Sequence, residues 1–379
     1  MKNPFNFGNI ASDKMFIDRE KELKELRRRM ASAEKVLLIS PRRFGKTSLA
    51  FKLKEELAQD CIVVYFDTLS CSSLEEFLNN YSAALARTTE TSLDKMVKMV
   101  KEFFPTLRPQ VQISQEGEVT LRIVSEADKK DIAAIFETVM DLPEKVAIKR
   151  KKPVVIIFDE FQSIQDLGGN KGASLLWKIR SVIQHHHHVG YLFSGSQKHM
   201  LEQMAVPKDS PFYNMMSIMP LGKIPEELFV PFLARIFKES GIKCEEGLLQ
   251  AAVRRADNVP FYLINICNEL WDFGMDQHKP LDTQAMTRCI LQIIQKRGPD
   301  YEAEWERITP AQKNVLRAVA AGERSILAME TIRKYSLGSP STAQRALLSL
   351  TSSQYLMKEQ GRYAFEDVWF KEWINGKLR

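Results

Sequence analysis

The sequence from residue 36 to residue 47 reads VLLISPRRFGKT, and this stretch decides the class of fold. Residues 36–39 form a short, continuous apolar run with branched side chains, which is typical of a buried strand in a parallel sheet. Residues 47–58 have the composition of a helix, and a proline and a glycine lie between the two segments. The stretch therefore predicts a strand, a loop and a helix in direct succession.

The loop of this unit matches a phosphate-binding pattern, Gly-x-x-x-x-Gly-Lys-Ser/Thr, whose backbone N–H groups surround phosphate oxygens. Gly45, Lys46 and Thr47 supply the second half of the pattern. We expect Lys46 to reach the β and γ phosphates of a nucleotide, where it also serves catalysis, and the Thr47 hydroxyl to bind Mg²⁺. The following helix adds its positive N-terminal dipole. The loop residues predicted to bind nucleotide are Pro41, Arg42, Arg43, Phe44, Gly45, Lys46, Thr47 and Ser48.

Ser40 stands where the pattern has its first glycine. A side chain at that position hinders close approach of the backbone to a ligand, or a left-handed backbone conformation. Pro41 favours an extended conformation for the residue before it, so Ser40 need not adopt a positive φ. We therefore expect nucleotide binding to survive the replacement.

Residues 154–160, with the sequence VVIIFDE, predict a buried strand that delivers two carboxylates at its carboxyl end. Ligands of open α/β sheets bind at that end of the strands. Asp159 is predicted to hold Mg²⁺ opposite Thr47, and Glu160 to orient or deprotonate the water that attacks the γ phosphate. An acidic pair that merely ends a strand in solvent is the alternative, and the phosphate loop in the same domain argues against it.

Ser196 follows another predicted strand, residues 189–193, as the last residue of a Ser-Gly-Ser sequence. A polar side chain at this position could sense the γ phosphate or the attacking water, and an ordinary polar turn is the alternative. The four histidines at residues 185–188 precede this strand. Four consecutive side chains cannot converge on one ion from a regular element, so a polar turn that ends a helix is favoured over a metal site.

Strands alternate with helices over the first part of the chain, which indicates a mainly parallel sheet flanked by helices. Further predicted elements are a helix from Asp18, which serves as its N-cap, a strand at residues 61–66 and a helix at residues 74–88. Residues 108–124 alternate between apolar and polar side chains around a central glycine, which predicts a hairpin insertion at the edge of the fold. This α/β nucleotide-binding domain is assigned to residues 1–222.

The sequence after residue 222 predicts two smaller units. Residues 223–300 support several helices and are assigned to a helical lid. In residues 301–379, Thr309 is placed to cap a helix that begins with proline, two more helices follow, and two short strands meet near Gly361. Three helices and a hairpin predict a C-terminal winged helix-turn-helix.

Composition places the protein among ordinary globular proteins of more than one domain, with 379 residues, 44% hydrophobic and 27% charged. A net charge of +6 permits contact with nucleic acid without requiring it. The five cysteines are scattered and form no Cys-x-x-Cys pair, which fits a reducing compartment. We find neither a signal peptide nor a run of roughly 18 apolar residues, and expect a cytoplasmic protein without membrane contact.

Four segments resemble the archaeal-type ATPase family, a branch of the AAA+ proteins allied to the STAND class of signal-transduction ATPases: FIDRE at 16–20, PRRFGKTS at 41–48, IIFDEF at 156–161 and NVPFYL at 258–263. The resemblance implies that the segment containing Arg19 lies by the adenine, and that Pro260 of the lid faces the nucleotide. Asn258 stands where the family usually has glycine, and a proline that simply starts a helix is the alternative for Pro260.

The resemblance also implies a nucleotide-dependent change between lid and sheet. Our leading hypothesis is therefore a slow, Mg²⁺-dependent ATPase that acts as a switch and passes its nucleotide state, ATP or ADP, through the lid to the winged helix. The alternative is a DNA-binding regulator in which nucleotide is mainly structural. A helicase or translocase is less well supported, because we identify neither a second phosphate loop nor a secure arginine finger among Arg42, Arg43 and Arg180.

DNA and protein are both possible binding partners of the predicted winged helix. Its predicted recognition helix, residues 341–349, offers Thr342, Gln344 and Arg345, with only one cation among them. Lys358 and Arg362 add positive charge on the predicted wing. Nucleotide-dependent self-association could supply an arginine from a second copy of the chain.

Overall fold

The structure is a computed structural model that describes residues 2–5, 7–8, 15–89, 98, 107–113, 119–125, 132–167, 172–277, 279–359 and 361–377. The chain divides into two compact units. The first, which we call the sheet unit, is Ile10–Gly222. The second, the helical unit, combines Met1–Asn9 with Lys223–Arg379.

Five parallel strands form the main sheet of the sheet unit, in the order β2-β5-β6-β1-β7. Their bounds are β1 Lys35–Ile39, β2 Ile62–Asp67, β5 Val154–Asp159, β6 Val189–Gly195 and β7 Ser217–Pro220. A separate antiparallel pair, β3 Leu107–Ile113 and β4 Val119–Ser125, is the predicted hairpin. The turn that the sequence predicts between these two strands lies outside the described residues.

Both faces of the sheet are buried, which explains why its strands are continuous apolar runs. Alternate residues of β5 enter two different hydrophobic clusters, with Ile156 and Phe158 in one and Val155 and Ile157 in the other. Gly190 is needed on β6, because a Cβ atom there would lie 2.7 Å from the backbone oxygen of Met30.

Seven helices of the sheet unit have described bounds: α1 Glu20–Ala31, α2 Lys46–Leu57, α3 Leu74–Thr89, α4 Ile132–Arg150, α5 Ile164–Leu167, α6 Gly172–Ile183 and α7 Lys198–Ala205. The prediction that Asp18 is the N-cap of α1 is wrong. Arg19 occupies that position with φ 93°, and no side chain caps the helix. A left-handed conformation at Arg19 turns the chain into the helix in place of an N-cap hydrogen bond.

The helical unit begins with four helices, α8 Glu226–Glu239, α9 Leu248–Arg255, α10 Pro260–Gln277 and α11 Thr283–Arg307. The N-terminal segment packs on them: Phe5 is fully buried against Phe237, and its backbone oxygen accepts a hydrogen bond from Asn268 at 2.6 Å. The first residues of the chain therefore pack with residues more than 200 positions away.

The rest of the helical unit contains α12 Pro310–Ala320, α13 Met329–Lys334, α14 Pro340–Ser352, β8 Leu356–Glu359, β9 Arg362–Phe365 and α15 Val368–Lys377. Thr309 caps α12 in a capping box with Gln312. The two strands pair in antiparallel register. The predicted parallel α/β fold with a C-terminal winged helix is thus confirmed.

Some elements were not predicted from the sequence. The edge strand β7 has only four residues and one buried side chain, so it lacks the apolar run of the central strands. The long helix α11 continues through residues 300 and 301, where the predicted lid and winged helix domains meet. In the described part of the chain, no helix combines the length and the hydropathy that crossing a membrane requires.

Candidate active site

The candidate site lies where three neighbouring strands end. Strand β6 pairs with β1 on one side, with Gly195 opposite Ile39, and with β5 on the other, with Phe193 opposite Phe158. Because the strands are parallel, their carboxyl ends meet at one edge of the sheet. The phosphate loop after β1, Ser194 at the end of β6 and Asp159 at the end of β5 are therefore brought together.

The phosphate loop turns by means of two left-handed residues, Arg43 with φ 72° and Gly45 with φ 91°. Ser40 is buried and does not have a positive φ, in agreement with the sequence prediction. The Lys46 side chain is only 5% exposed, and its ammonium donates hydrogen bonds to the backbone oxygens of Ser40 and Pro41 at 3.1 and 3.0 Å. The loop thus closes around the lysine that the sequence assigns to the phosphates.

The other predicted loop residues differ in exposure. Phe44 is buried, while Pro41, Arg43, Thr47 and Ser48 are half-buried. Arg42 is exposed, and its Nε lies 3.5 Å from the hydroxyl of Ser196. The loop therefore presents an exposed cation beside Ser196.

Asp159 is buried and accepts four hydrogen bonds. Its Oδ2 accepts from the Thr47 hydroxyl at 2.9 Å and from the Tyr65 hydroxyl at 2.8 Å. Its Oδ1 accepts from the Ser194 hydroxyl at 2.5 Å and from the backbone N–H of Glu160 at 3.1 Å. Burial, with the Asp159 carboxylate nearby, raises the pKa of the Tyr65 hydroxyl, which therefore stays a donor at neutral pH.

The donor set around Thr47 and Asp159 suits Mg²⁺. That ion prefers hard oxygen ligands and is commonly held by one or two carboxylates together with phosphates of a substrate. The Thr47 hydroxyl and the Asp159 carboxylate come within 2.9 Å of each other from separate elements. Asp67 ends the adjacent strand β2, and burial raises the pKa of its carboxyl, with Asp159 and Glu160 adding to the effect. The residues present fit a magnesium-nucleotide complex.

Glu160 has a left-handed backbone with φ 48°. Two carbonyl oxygens at this turn, those of Asp159 and Glu160, lie 2.8 and 2.6 Å from the buried hydroxyl of Thr68. The Glu160 carboxylate accepts from the Ser196 hydroxyl at 2.7 Å and the Ser196 backbone N–H at 3.1 Å. Gln162 donates to the same carboxylate at 2.5 Å. The structure therefore brings Ser196 and Glu160, both predicted from the sequence, into direct contact.

Arg19 is 5% exposed, and its guanidinium binds the carboxylate of Glu22 at 2.8 Å and the backbone oxygen of Gly222 at 2.6 Å. Its predicted position by the adenine stays a prediction. Pro260 begins α10 in the helical unit, so its contact with nucleotide also stays a prediction. Asn258 before it has φ 58°, a conformation that asparagine tolerates better than most residues and that glycine adopts freely.

The remaining candidate arginine and the histidines make contacts within the sheet unit. Arg180 donates to the backbone oxygen of Pro211 at 2.7 Å. The histidines follow the end of α6, with His186 bonded to Tyr191 and His188 to Glu144. In the ranges that the structure describes, no three side chains of His, Cys, Asp or Glu are grouped as a metal site.

Sequence reasoning missed three polar residues of the site, Tyr65, Thr68 and Gln162. Tyr65 and Thr68 come from β2 and the turn after it, and reach Asp159 because β2 lies next to β5. The order of strands in a sheet depends on contacts between distant segments. The one local signal for Tyr65 and Thr68 was that they are polar residues near the end of a predicted strand. Gln162 stands two residues after Glu160, and this short separation in sequence was the only indication that the two side chains could meet.

Comparison with known families agrees with this geometry. Residues 16–266 match the family described as "ATPase domain predominantly from Archaea". Residues 299–376 match the "probable winged helix domain" family. Because the first match covers more than half of the chain, the chain belongs to this archaeal ATPase family and carries a nucleotide-binding ATPase domain. No curated protein matches the chain in sequence.

Two solved structures share the fold over nearly the whole length. The Walker-type ATPase PABY2304 of Pyrococcus abyssi is 19% identical, with 98% of this chain and 99% of that chain covered and a TM-score of 0.66. The ORC2 protein of Aeropyrum pernix, in complexes with ADPNP and ADP, is 12% identical, with 100% and 98% covered and a TM-score of 0.56. At these identities the likeness concerns the fold alone.

Proposed function

We propose that the chain binds Mg²⁺-ATP between the phosphate loop and the ends of β5 and β6, and hydrolyses it slowly as a nucleotide-controlled switch. One observation carries the proposal. The Thr47 hydroxyl and the Asp159 carboxylate meet at 2.9 Å, and the carboxylate of the next residue, Glu160, is held by the Ser196 hydroxyl at 2.7 Å. A phosphate loop, a metal-binding pair and a general base are the components that nucleotide hydrolysis requires.

Each residue has a defined task in this proposal. The buried Lys46 ammonium exchanges its contacts with the loop carbonyls for phosphate oxygens, and the loop N–H groups and the helix dipole of α2 bind the same phosphates. Glu160 accepts a proton from the attacking water. Ser196 orients Glu160 and lies beside the exposed Arg42, so it is placed to respond to the γ phosphate.

Mg²⁺ would be held by Thr47 and Asp159. When bound, the ion neutralises charge on the β and γ phosphates. Tyr65 and Ser194 keep the Asp159 carboxylate in one orientation, because each donates to a different oxygen. The metal ligand is therefore positioned by the protein before the ion arrives.

The switch proposal is supported by the way α10 is built into the helical unit. Pro260 is the first residue of α10, and two residues later the Tyr262 hydroxyl donates to the backbone oxygen of Glu366 at 2.9 Å. One turn further on, the buried Asn265 side chain accepts from the Trp369 indole at 3.0 Å. The helix that carries the predicted lid contact is thus joined to the winged helix by one buried and one partly buried hydrogen bond.

A second link connects the same region to the wing. The Lys223 ammonium lies 2.9 Å from the carboxylates of both Asp257 and Glu359, and these hydrogen bonds raise the pKa of Lys223 although burial lowers it. Asp257 precedes the Asn258-Val259-Pro260 segment, and Glu359 ends β8. A movement of the lid segment would therefore carry the wing with it, provided that ATP and ADP differ in affinity for two arrangements.

A DNA-binding regulator is the second candidate, and one observation favours it. Six exposed cations of the winged helix domain have no ion pair in the described part of the chain: Arg307, Arg324, Arg333, Arg345, Lys358 and Arg362. Cations without acidic partners are available to phosphates of a nucleic acid backbone. Leu348 on the same helix as Arg345 is 62% exposed, which suits a protein partner better.

We place the protein in the cytoplasm in this proposal, because its five cysteines are all free thiols, as a reducing compartment requires. Self-association is part of the same proposal. A second copy would supply the arginine that stabilises the transition state.

The test measures ATP turnover and molecular mass with and without Mg²⁺-ATP, and then with duplex DNA added. We expect Mg²⁺-dependent turnover and a different mass or shape with ATP than with ADP. The Lys46→Ala variant is the control and should show neither. Turnover that rises with DNA, and falls back in an Arg345→Ala variant, would favour the regulator. Failure to bind ATP at all would refute both candidates.

A further inference from the structure

Gln162 lies on the short 3₁₀ turn Phe161–Ser163, immediately after Glu160, and is 3% exposed. Its Nε2 donates to Glu160 Oε2 at 2.5 Å. The two donors of Ser196 reach the same oxygen. Three hydrogen bonds from two elements therefore fix one oxygen of the carboxylate.

The other carboxylate oxygen of Glu160, Oε1, is available to accept a proton from water. In the described part of the chain, no hydrogen bond reaches Oε1, and Glu160 is only partly buried. A carboxylate that is held by Oε2 cannot rotate freely, so Oε1 keeps one direction. That is the arrangement a general base needs, because proton transfer depends on a defined geometry.

Gln162 is not explained by folding stability. Its own side-chain oxygen, Oε1, is buried without a hydrogen-bond partner in the described part of the chain. A buried acceptor without a partner costs free energy, and an apolar side chain of the same size would avoid that cost. The amide therefore lowers the stability of the fold, and in the described part of the chain its hydrogen bond is the one with Glu160.

The end of β6 is shaped to admit this amide. A Cβ atom at Gly195 would lie 2.0 Å from Gln162 Oε1, so any other residue at this position would push the Gln162 side chain away. Gly195 stands between Ser194, which holds Asp159, and Ser196, which holds Glu160. The Ser-Gly-Ser sequence thus supplies one hydrogen bond to the Asp159 carboxylate, two to the Glu160 carboxylate and a space for Gln162.

We propose that Gln162 is a positioning residue for ATP hydrolysis, which acts by fixing the Glu160 carboxylate in the orientation that accepts a proton from water. This inference rests on the proposed ATPase function of the same site. It assigns to the buried amide a role in the rate of the chemical step and none in nucleotide affinity. Gly195 serves the same role indirectly, by leaving room for the amide.

The test is the Gln162→Met variant of the full chain, which removes both the donor and the unpaired acceptor at similar volume. We expect kcat for Mg²⁺-ATP to fall about tenfold or more, because a misplaced catalytic group loses rate steeply. The Kd for ATP should stay the same, and the Tm should stay the same or rise. Gly195→Ala should lower kcat in the same way. Gln165→Met, on the adjacent helix α5, is the matched control and should keep wild-type kcat.

A double variant separates positioning from a general structural effect. If Gln162 acts through Glu160, then adding Gln162→Met to Glu160→Gln should not lower the single-turnover rate further. An unchanged kcat in Gln162→Met, or an additional loss in the double variant, would overturn the inference while the ATPase function stands. Absence of turnover in the wild-type chain would instead refute the proposed function, and the inference with it.

Discussion

A cluster of polar side chains lies at each end of β6. The two clusters differ in whether both oxygens of their glutamate carboxylate accept hydrogen bonds. At the carboxyl end, Glu160 receives three hydrogen bonds on one oxygen and none on the other in the described part of the chain. At the amino end, both oxygens of Glu144 are used. They accept from the backbone N–H groups of His187 and His188 and from the His188 ring.

The amino-end cluster is closed in other respects too. His186 is 2% exposed, and its ring shares hydrogen bonds with the Tyr191 hydroxyl at 2.7 Å and the Asp141 carboxylate at 3.3 Å. The Lys35 ammonium donates to the His186 backbone oxygen at 3.0 Å. A polar network whose members satisfy one another stabilises the fold, whereas one that leaves an acceptor open toward a ligand site is suited to chemistry. We therefore infer that the amino-end cluster serves stability and the carboxyl-end cluster serves function.

The largest effect is expected for Lys46→Ala at the carboxyl end. We expect the affinity for Mg²⁺-ATP to fall at least about 100-fold, since losing a buried charged contact costs about 3 kcal/mol. The free energy of unfolding of the nucleotide-free protein should change little by comparison. Isothermal titration with ATP and chemical denaturation measure the two quantities. Undiminished ATP affinity would show that the loop is not the nucleotide site.

The converse change, Glu144→Ala at the amino end, should lower the free energy of unfolding by about 1 to 2 kcal/mol, because it leaves two backbone N–H groups of a partly buried turn without their acceptor. The kcat for ATP should stay at the wild-type value wherever the protein is folded. The exposed Glu137 on the same helix is the matched control, and Glu137→Ala should change neither quantity. A large loss of kcat in Glu144→Ala would contradict the separation of the two ends.

A smaller effect should appear in the pH dependence of stability. Burial lowers the pKa of His186 below its ordinary value near 6.5, although Asp141 and Glu144 oppose the shift. The unfolded chain therefore binds a proton at this residue more readily than the folded chain. The resulting stability is present above about pH 6.5 and is lost as the pH falls through the folded pKa.

We expect the Tm of the wild-type protein to fall between pH 7.5 and pH 5.5, and to fall less in His186→Gln. His199 is exposed on α7, so His199→Gln should keep the wild-type slope. Equal slopes in all three proteins would mean that His186 is not the titrating group.

The smallest effect is expected for Ser40→Gly in the phosphate loop. Ser40 already fits without a positive φ, so restoring the glycine of the usual pattern should change the Kd for ATP by less than about threefold. Gly45→Ala, at φ 91°, should weaken binding by about tenfold, because an alanine is strained there by about 1 to 2 kcal/mol. Reversal of this order in ATP titrations would show that the first glycine position limits affinity.

Much of the fold was predictable because its signals are local. The continuous apolar runs of β1, β5 and β6, and the Thr309–Pro310 start of α12, follow from backbone and burial preferences of neighbouring residues. The short strand β7 and the packing of Phe5 on the helical unit were not predicted. Their signals lie in contacts between distant segments, such as the hydrogen bond from Asn268 to Phe5.

For the candidate site, too, local motifs were predictable and contacts between distant segments were not. The phosphate loop and the two carboxylates at the end of β5 are contiguous motifs, so the sequence identified them. The groups that hold these residues come from other segments. Tyr65 of β2 and Ser194 of β6 donate to the Asp159 carboxylate, and Thr68, in the turn after β2, donates to the backbone oxygens of Asp159 and Glu160. Which polar residues meet at a sheet edge depends on strand order and register, which no local pattern encodes.

The most direct test of the account compares wild type with Glu160→Gln, by measuring ATP affinity and kcat with Mg²⁺ on the same preparations. The variant keeps the size and the hydrogen-bond acceptor of the side chain but cannot accept a proton as a base. The account predicts an ATP Kd within about threefold of wild type and a kcat at least about 100-fold lower. A kcat equal to that of wild type, while Lys46→Ala abolishes binding, would contradict the assignment of Glu160 as the general base.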